Sequence, residues 1–264
     1  MRTTNGEGGI LCEQQGQVLV MTIDRPQKRN ALTPKMLWEL AEAYARLEAN
    51  PELRCGLITG AGGHFTAGLD MMAIREHRNA GKPLWPVEAV DPLGLRPPYR
   101  IKPIVCAVAG VVFTSGVEIM LAADIVVTSR TARFRQHEVS LGMMAWGGAT
   151  VRMVERAGWG NAMRILLTGE EFDAEEAHRC GFVQIVCEPG EERQLGLELA
   201  GSIARQAPLA VQATIANARK AVLDGAPAAM AELDDVRAKL VRTADAAEGL
   251  ASFLERRPAT FEGM

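Results

Sequence analysis

Residues 104–129 read IVCAVAGVVFTSGVEIMLAADIVVTS, and the succession of side-chain types in that stretch decides the class of fold. IVCAVA (104–109) is a continuous apolar run, the pattern of a strand buried on both faces. GVVFTSG reads as a loop of small and β-branched residues, VEIMLAAD as a short apolar helix, and DIVVTS as a returning strand. The same plan occurs upstream, where CGLITG (55–60) predicts a strand, AGGHFTAGLD a Gly-rich loop, and Asp70 the start of a helix, its carboxylate suiting the positive end of the dipole.

Further toward the N-terminus, QVLVMTI (17–23) predicts another strand buried on both faces, followed by the turn DRPQKRNAL. Thr33 and Pro34 have the chemistry of an N-cap and a first helical residue. Leu37, Leu40, Ala41, Tyr44 and Leu47 give the helix that follows one apolar stripe. Residues 79–99, interrupted by proline and glycine, predict a long loop or lid. Downstream, RFRQHEVSLGMM is irregular and helices dominate from Gly147. Asp173 with Glu176 forms a capping-box pattern, and FVQIV (182–186) predicts a last strand. From about residue 190 the chain predicts four helices, separated at Ala207-Pro208, at Gly225-Ala226-Pro227 and near Asp245. Strands alternating with helices, then an all-helical tail, specify an α/β core over residues 1–200 and a helical region over 201–264.

With 264 residues, 48% hydrophobic and 23% charged, the chain has the composition of a folded globular protein. Its formal net charge of −3 offers no basic stripe to neutralise a phosphate backbone, so nucleic acid is not expected as a partner. Cys12, Cys55, Cys106, Cys180 and Cys187 form no C-x-x-C pair, as expected of free, mostly buried thiols in a reducing compartment. No run approaches the roughly 18 apolar residues of a membrane span. The opening MRTTNGEGG reads as the frayed end of a cytoplasmic protein, without a secretory core.

Several chemical signatures are missing: the P-loop spacing, the G-x-G-x-x-G of dinucleotide folds, the G-x-S-x-G elbow and the H-E-x-x-H metal helix. No metal site is implied. What remains is the pair of loops HFTAGLD and VFTSGVE, each between a strand and a helix. Small residues let a ligand approach the backbone, and helix N-termini carry unpaired N–H groups. One donor from each loop, converging, would make an oxyanion hole. Glu118 stands in an otherwise apolar helix start and has two readings, an acid–base group or the second member of the capping box Ser115-x-x-Glu118. Glu138, in RQHEVSLG, is a second acid–base candidate or a solvated residue. Asp70 and Asp124 read as cap and strand-end carboxylates.

Taken together, TIDRPQKRNAL, LITGAGGHFTAGLDM, KPIVCAVAGVVFTSGVEIMLAADIVV, RFRQHEVSLGMMAWGGATVRM, LLTGEEFDAEEAHRCGFV and the tail AEGLASFLERRPATFEG resemble the crotonase (enoyl-CoA hydratase/isomerase) family. The resemblance runs from about residue 10 to the C-terminus, and the order of these stretches is more specific than any one of them. It implies a spiral of strand–strand–helix units with a helical trimerisation region, a homotrimer or dimer of trimers, and an acyl-CoA substrate, with no cofactor beyond that CoA. It implies that the backbone N–H groups of Leu69 and Ser115 hold the thioester oxygen, and that Glu118 and Glu138 flank the enoyl double bond as base and acid. The CoA arm is expected along Arg29–Ala31 and Ala67–Asp70, including Gly68, with Phe253, Arg257 and Phe261 as candidate contacts from a neighbouring subunit's tail. The implied activity is hydration of a trans-2-enoyl-CoA. Isomerisation, lyase chemistry on the same enolate, and acyl-CoA binding without catalysis are the alternatives. The chain departs from the family's hydratases at Thr114-Ser115, where glycines are usual, at Ala109 for Asn, at His137 for Pro, and at Trp146 for Gly, the last beside the acyl site. A serine keeps the N–H donor provided its backbone needs no positive φ.

Overall fold

A computed structural model describes residues 8–86 and 89–264 of the chain; most of the opening stretch MRTTNGEGG lies outside them. Strand β1 (Gly9–Gln15) pairs antiparallel with β2 (Val18–Asp24) through a tight turn at Gly16, whose φ of +58° suits a residue without Cβ. After β2 come helix α1 (Pro34–Ala49), β3 (Cys55–Gly60), helix α2 (Met71–Asn79) and β4 (Ile104–Val108). Thr33 caps α1, its side chain accepting from Met36 N, as the Thr-Pro pair predicts. Then follow β5 (Val111–Phe113), helix α3 (Ser115–Ala122), β6 (Ile125–Ser129), β7 (Arg133–Arg135) and helix α4 (Ala149–Thr168), which bends at Gly158. The α/β part closes with β8 (Glu171–Asp173), α5 (Ala174–Arg179), β9 (Ile185–Cys187) and α6 (Glu192–Ala204).

The first sheet has the order β1-β2-β3-β4-β6-β9, parallel from β2 onward, and the second has the order β5-β7-β8. Both faces of the first sheet are covered. Leu19, Met21, Ile58, Cys106 and Val108 turn toward α1 and the larger core. Val18, Val20, Leu57, Val105 and Ala107 turn the other way, against α6. This is why the strands carry unbroken apolar runs rather than alternation. Helix α6 lies close because Gly196 sits there: a Cβ at that position would fall 3.0 Å from both Ala107 Cβ and Leu57 Cδ1.

The structure departs from the sequence expectations at short elements. GVVFTSG is not all loop, since Val111–Phe113 pairs in parallel with Arg133–Arg135. The last strand is displaced from 182–186 to Ile185–Cys187. Phe182 and Val183 are buried because their N–H groups close the end of α5 on Ala177 O, so their hydrophobicity serves a helix terminus. The tail holds five helices from Glu192 onward: α6, α7 (Pro208–Asp224), α8 (Ala226–Met230), α9 (Leu233–Leu240) and α10 (Ala244–Glu255). No residue of α7 is buried, and Val222, Leu223, Val241, Leu250, Phe253 and Leu254 face outward along the tail. Among the described residues no helix is long and apolar enough to cross a membrane.

One ion pair ties the entry of β4 to the exit of α3. Arg100 donates to both carboxylate oxygens of Asp124 at 2.7 Å, and Asp124 also accepts from Ile104 N. The guanidinium is buried, so removing its partner leaves a charge without compensation. Asp124→Asn is expected to lower unfolding stability by about 3 kcal/mol, read as a lower urea midpoint at unchanged slope.

Candidate active site

The loop HFTAGLD is pinned on both sides. Ala67 N donates to Arg29 O at 2.9 Å and Leu32 N to Gly68 O at 2.8 Å, while Thr66 exchanges backbone bonds with Val111 and Phe113 in the second loop. Thr66 Oγ1 donates to Asn30 O and accepts from Gly68 N. The two Gly-rich loops therefore lie side by side. A Cβ on Gly68 would sit 2.0 Å from Thr114 Oγ1, which is why that position, at φ +99°, is glycine.

Leu69 N and Ser115 N find no protein acceptor among the described residues. Leu69 N points away from the bridge that Gly68 O and Asp70 N make to Leu32. Ser115 N belongs to the first turn of α3, where the ladder offers no partner. The positive φ that this turn demands falls on Thr114, at φ +49° and ψ −114°, and not on Ser115. A β-branched residue in that conformation is strained by about 1–3 kcal/mol, and the strain leaves the Ser115 donor intact.

Glu118 is 2% exposed. The capping-box reading fails: Thr114 is the N-cap and makes no side-chain bond, and the Glu118 carboxylate turns instead to the loop before α4. Its Oε1 accepts from Gly147 N at 2.5 Å and from Ala149 N at 3.4 Å. A Cβ on Gly147 would lie 2.2 Å from Oε2, so only glycine allows this approach. Burial pushes the carboxyl up to about 7, and the charge of Glu138 adds to it; the N–H groups of Ala149 and Gly147 and the cation of Arg152 pull the other way.

Glu138 opens a 3-10 turn (Glu138–Leu141), where Gln136 Nε2 donates to its Oε1 at 3.0 Å. Burial raises this carboxyl as well. Oε2 of Glu138, Ser115 Oγ and His137 Nδ1 are buried without a hydrogen-bond partner. All three residues line a single cavity of about 120 Å³ that also takes in Leu69, Ala67 and Glu118. Met71, Ile74, Met143, Met144 and Trp146 form its apolar wall. Arg78, also on that wall, holds its guanidinium 5.9 Å from the centroid of the Trp146 ring. Unpartnered polar atoms around an otherwise apolar space mark where a polar ligand belongs.

The other residues singled out in the sequence do not line this cavity. Arg29 is exposed in a left-handed turn, Ala31 O accepts from Arg25 Nη1, and Gly68 O accepts from Leu32 N. Asp70 caps α2 through Ala73 N and pairs with Arg25 at 2.8 Å, which holds its carboxyl below the usual range. Asp70 can therefore offer a ligand its backbone more readily than its charge. In the tail, Arg257 is taken up by Glu248 and Glu255, Phe261 O accepts from Arg54, and Phe253 is open to solvent. Sequence reasoning missed Gln136 and Gly147, which hold the two carboxylates, and Arg78. The one local signal was the Gly147-Gly148 pair directly before a helix.

The chain as a whole is similar to known proteins. A family model described as "Enoyl-CoA hydratase/isomerase" matches residues 13–264. An enoyl-CoA hydratase of Mycobacterium tuberculosis, EchA19, is 32% identical over 99% of both chains. A 2,3-dehydroadipyl-CoA hydratase of Escherichia coli is 31% identical over 96% of this chain and 98% of its own. Among solved structures, a probable enoyl-CoA hydratase/isomerase from Mycobacterium abscessus superposes with a TM-score of 0.93 at 44% identity, covering 97% of this chain and 98% of that one.

Burying Glu118 has a thermodynamic signature. Its folded pKa of about 7 lies above the ordinary glutamate value of 4.5, so the native state binds the extra proton between those values. Stability is complete below about pH 4.5 and is lost as pH rises toward 7, by roughly 3 kcal/mol once Glu118 is ionised. Glu118→Gln is therefore expected to be more stable than the parent in urea at pH 8, with the gain disappearing near pH 4.5.

Proposed function

Because the chain belongs to the enoyl-CoA hydratase/isomerase family, we propose that it adds water across the double bond of a trans-2-enoyl-CoA to give the 3-hydroxyacyl-CoA. The observation that carries this reading is two buried carboxylates, Glu118 and Glu138, on one cavity with the unpaired N–H groups of Leu69 and Ser115. Repulsion between two desolvated carboxylates keeps one of them protonated; in the free site that proton sits on Glu118, whose carboxyl is raised to about 7 with the charge of Glu138 contributing, and hydration requires it on Glu138. Glu118, ionised, takes a proton from water as the water oxygen bonds to C3. The electron pair of the double bond moves onto the thioester oxygen, where the two N–H groups stabilise it. Glu138 then gives its proton to C2, and one molecule of water has been added. Losing one oxyanion donor in such a site costs roughly 3–4 kcal/mol of barrier.

The CoA arm runs in this proposal along Arg29, Ala31, Ala67, Gly68 and Asp70, chiefly on backbone groups, with Arg29 as the exposed cation. No cofactor other than the substrate's own CoA takes part. A cytoplasmic homotrimer or dimer of trimers is the proposed form, and the outward-facing apolar residues of α7 and α10 support it.

Purified protein is expected to abolish the conjugated enoyl-thioester absorbance, with a product heavier by one water. A product of unchanged mass would mean isomerisation, and bound acyl-CoA without turnover would mean a binding protein. Glu118→Gln and Glu138→Gln should each lower kcat by about 10²–10⁴-fold; near-normal turnover in either variant removes that residue from the mechanism. Trp146→Gly, which opens the apolar wall, should raise kcat/KM for long acyl chains relative to crotonyl-CoA. An unchanged ratio would place the acyl chain elsewhere.

A further inference from the structure

Behind the peptide that holds Glu118 stands a cation with no carboxylate partner among the described residues. Arg152, on the first turn of α4, donates from Nη1 to Gly147 O at 3.2 Å and from Nη2 to Leu93 O and Gly94 O, the latter at 3.3 Å. Gly147 is the same residue whose N–H donates to Glu118 Oε1. The approach is close on both sides. A Cβ on Gly147 would fall 2.2 Å from Glu118 Oε2, and a Cβ on Gly148 would fall 2.2 Å from Arg152 Nη1. Gly148 also adopts φ +103°, which turns the chain between the two contacts. The glycine pair is thus a thin partition with a carboxylate on one side and a guanidinium on the other. Leu93 and Gly94 belong to the long loop 79–99, so one side chain ties that loop to the Glu118 clamp.

We propose that Arg152 is a positioning residue for the reaction, fixing the Gly147 peptide that aims Glu118 and setting a cation behind that carboxylate. This rests on the reading of Glu118 as the base. The physical ground is that a guanidinium carrying three bonds to carbonyl groups of two segments locks both, and a misplacement of about 1 Å at a reacting group can cost on the order of a hundredfold in rate. Its charge, itself half-buried, acts across the partition on a carboxylate that is buried, where screening is weaker than at the surface. The other charged or titratable groups lining the cavity on which Glu118 opens are Arg78 from α2, His137 and Glu138, while Glu155 of α4, Asp91 of the long loop and Arg100 act through space on Arg152. Of these groups, Arg152 is the one bonded to the clamp itself.

The test compares Arg152→Gln, which keeps a donor and loses the charge, with Arg152→Lys, which keeps the charge, in the hydration assay across pH. Glu118 works ionised, and the guanidinium favours ionisation. Arg152→Gln should therefore move the acid limb of the kcat profile to higher pH and lower kcat by about tenfold to a hundredfold, with KM little changed. Arg152→Lys should leave the limb in place and recover part of kcat. Equal losses in both variants with an unmoved limb, or no loss in either, would overturn the proposal. If Arg152→Gln does not fold, Arg152→Lys decides: reduced kcat at an unshifted limb and constant KM supports it, and parental kcat overturns it. Glu118→Gln measured in parallel separates the two levels. Full turnover there removes the role of Glu118 as base, whereas an inactive Glu118→Gln beside a fully active Arg152→Gln removes only the role of Arg152.

Discussion

The burial of one carboxylate organises this molecule. Glu118 sits in a helix whose other residues, Val117, Ile119, Met120 and Leu121, are core, so the chain cannot turn it to solvent without exposing them. Desolvation of that charge is offset in part by two N–H groups from the 147–149 turn, and that turn can come near only because residue 147 lacks a Cβ. The start of α4, the glycine pair and the first turn of α3 are consequently fixed with respect to one another. A carboxyl poised near neutrality follows from the packing and needs no separate device.

The second constraint is the register between the two Gly-rich loops. Thr66 and Val112 pair as an isolated bridge, and Thr66 Oγ1 reaches across to Asn30 O. Without this lacing, Leu69 N and Ser115 N would belong to two independent loops. With it, they open on one cavity together with both glutamates. The strained backbone at Thr114 fits the same picture: the sharp entry to α3 sets the direction of the Ser115 N–H, and the surrounding bridge holds an unfavourable φ in place.

These features were unevenly legible. The inner strands β2, β3, β4 and β6 could be read because burial on both faces writes itself as unbroken apolar runs such as IVCAV and VLVMTI, whereas β1, largely exposed, went unread and β9 was misplaced. Thr33-Pro34 announced α1 because a cap is a local interaction. β5, β7 and β8 are three residues each, too short to show a period, and they exist through partners distant in the chain. Glu118 was ambiguous for a related reason. Ser115-x-x-Glu118 satisfies a local pattern, and only the contact with Gly147, 29 residues away, shows that the local pattern is not the one formed. The resemblance to a family placed both glutamates, but the residues that hold them, Gln136 and Gly147, required the three-dimensional pairing.

The cavity divides into a fixed half and an adaptable half. On the polar side every group is locked: Glu118 by two amides, Glu138 by Gln136, and the Leu69 and Ser115 N–H groups by the laced loops. On the apolar side stand Met71, Met143 and Met144, with Trp146, all well exposed and none with a side-chain hydrogen bond among the described residues. Methionine rotates freely and fills irregular space, and a half-exposed indole covered by Arg78 can swing with little penalty. The two halves meet along residues 143–147: Met143 N donates to Glu138 O at 3.0 Å, and Trp146 immediately precedes Gly147, whose N–H holds Glu118. Side-chain changes on the apolar wall therefore reshape the cavity, whereas any shift in the backbone of that segment reaches both carboxylates.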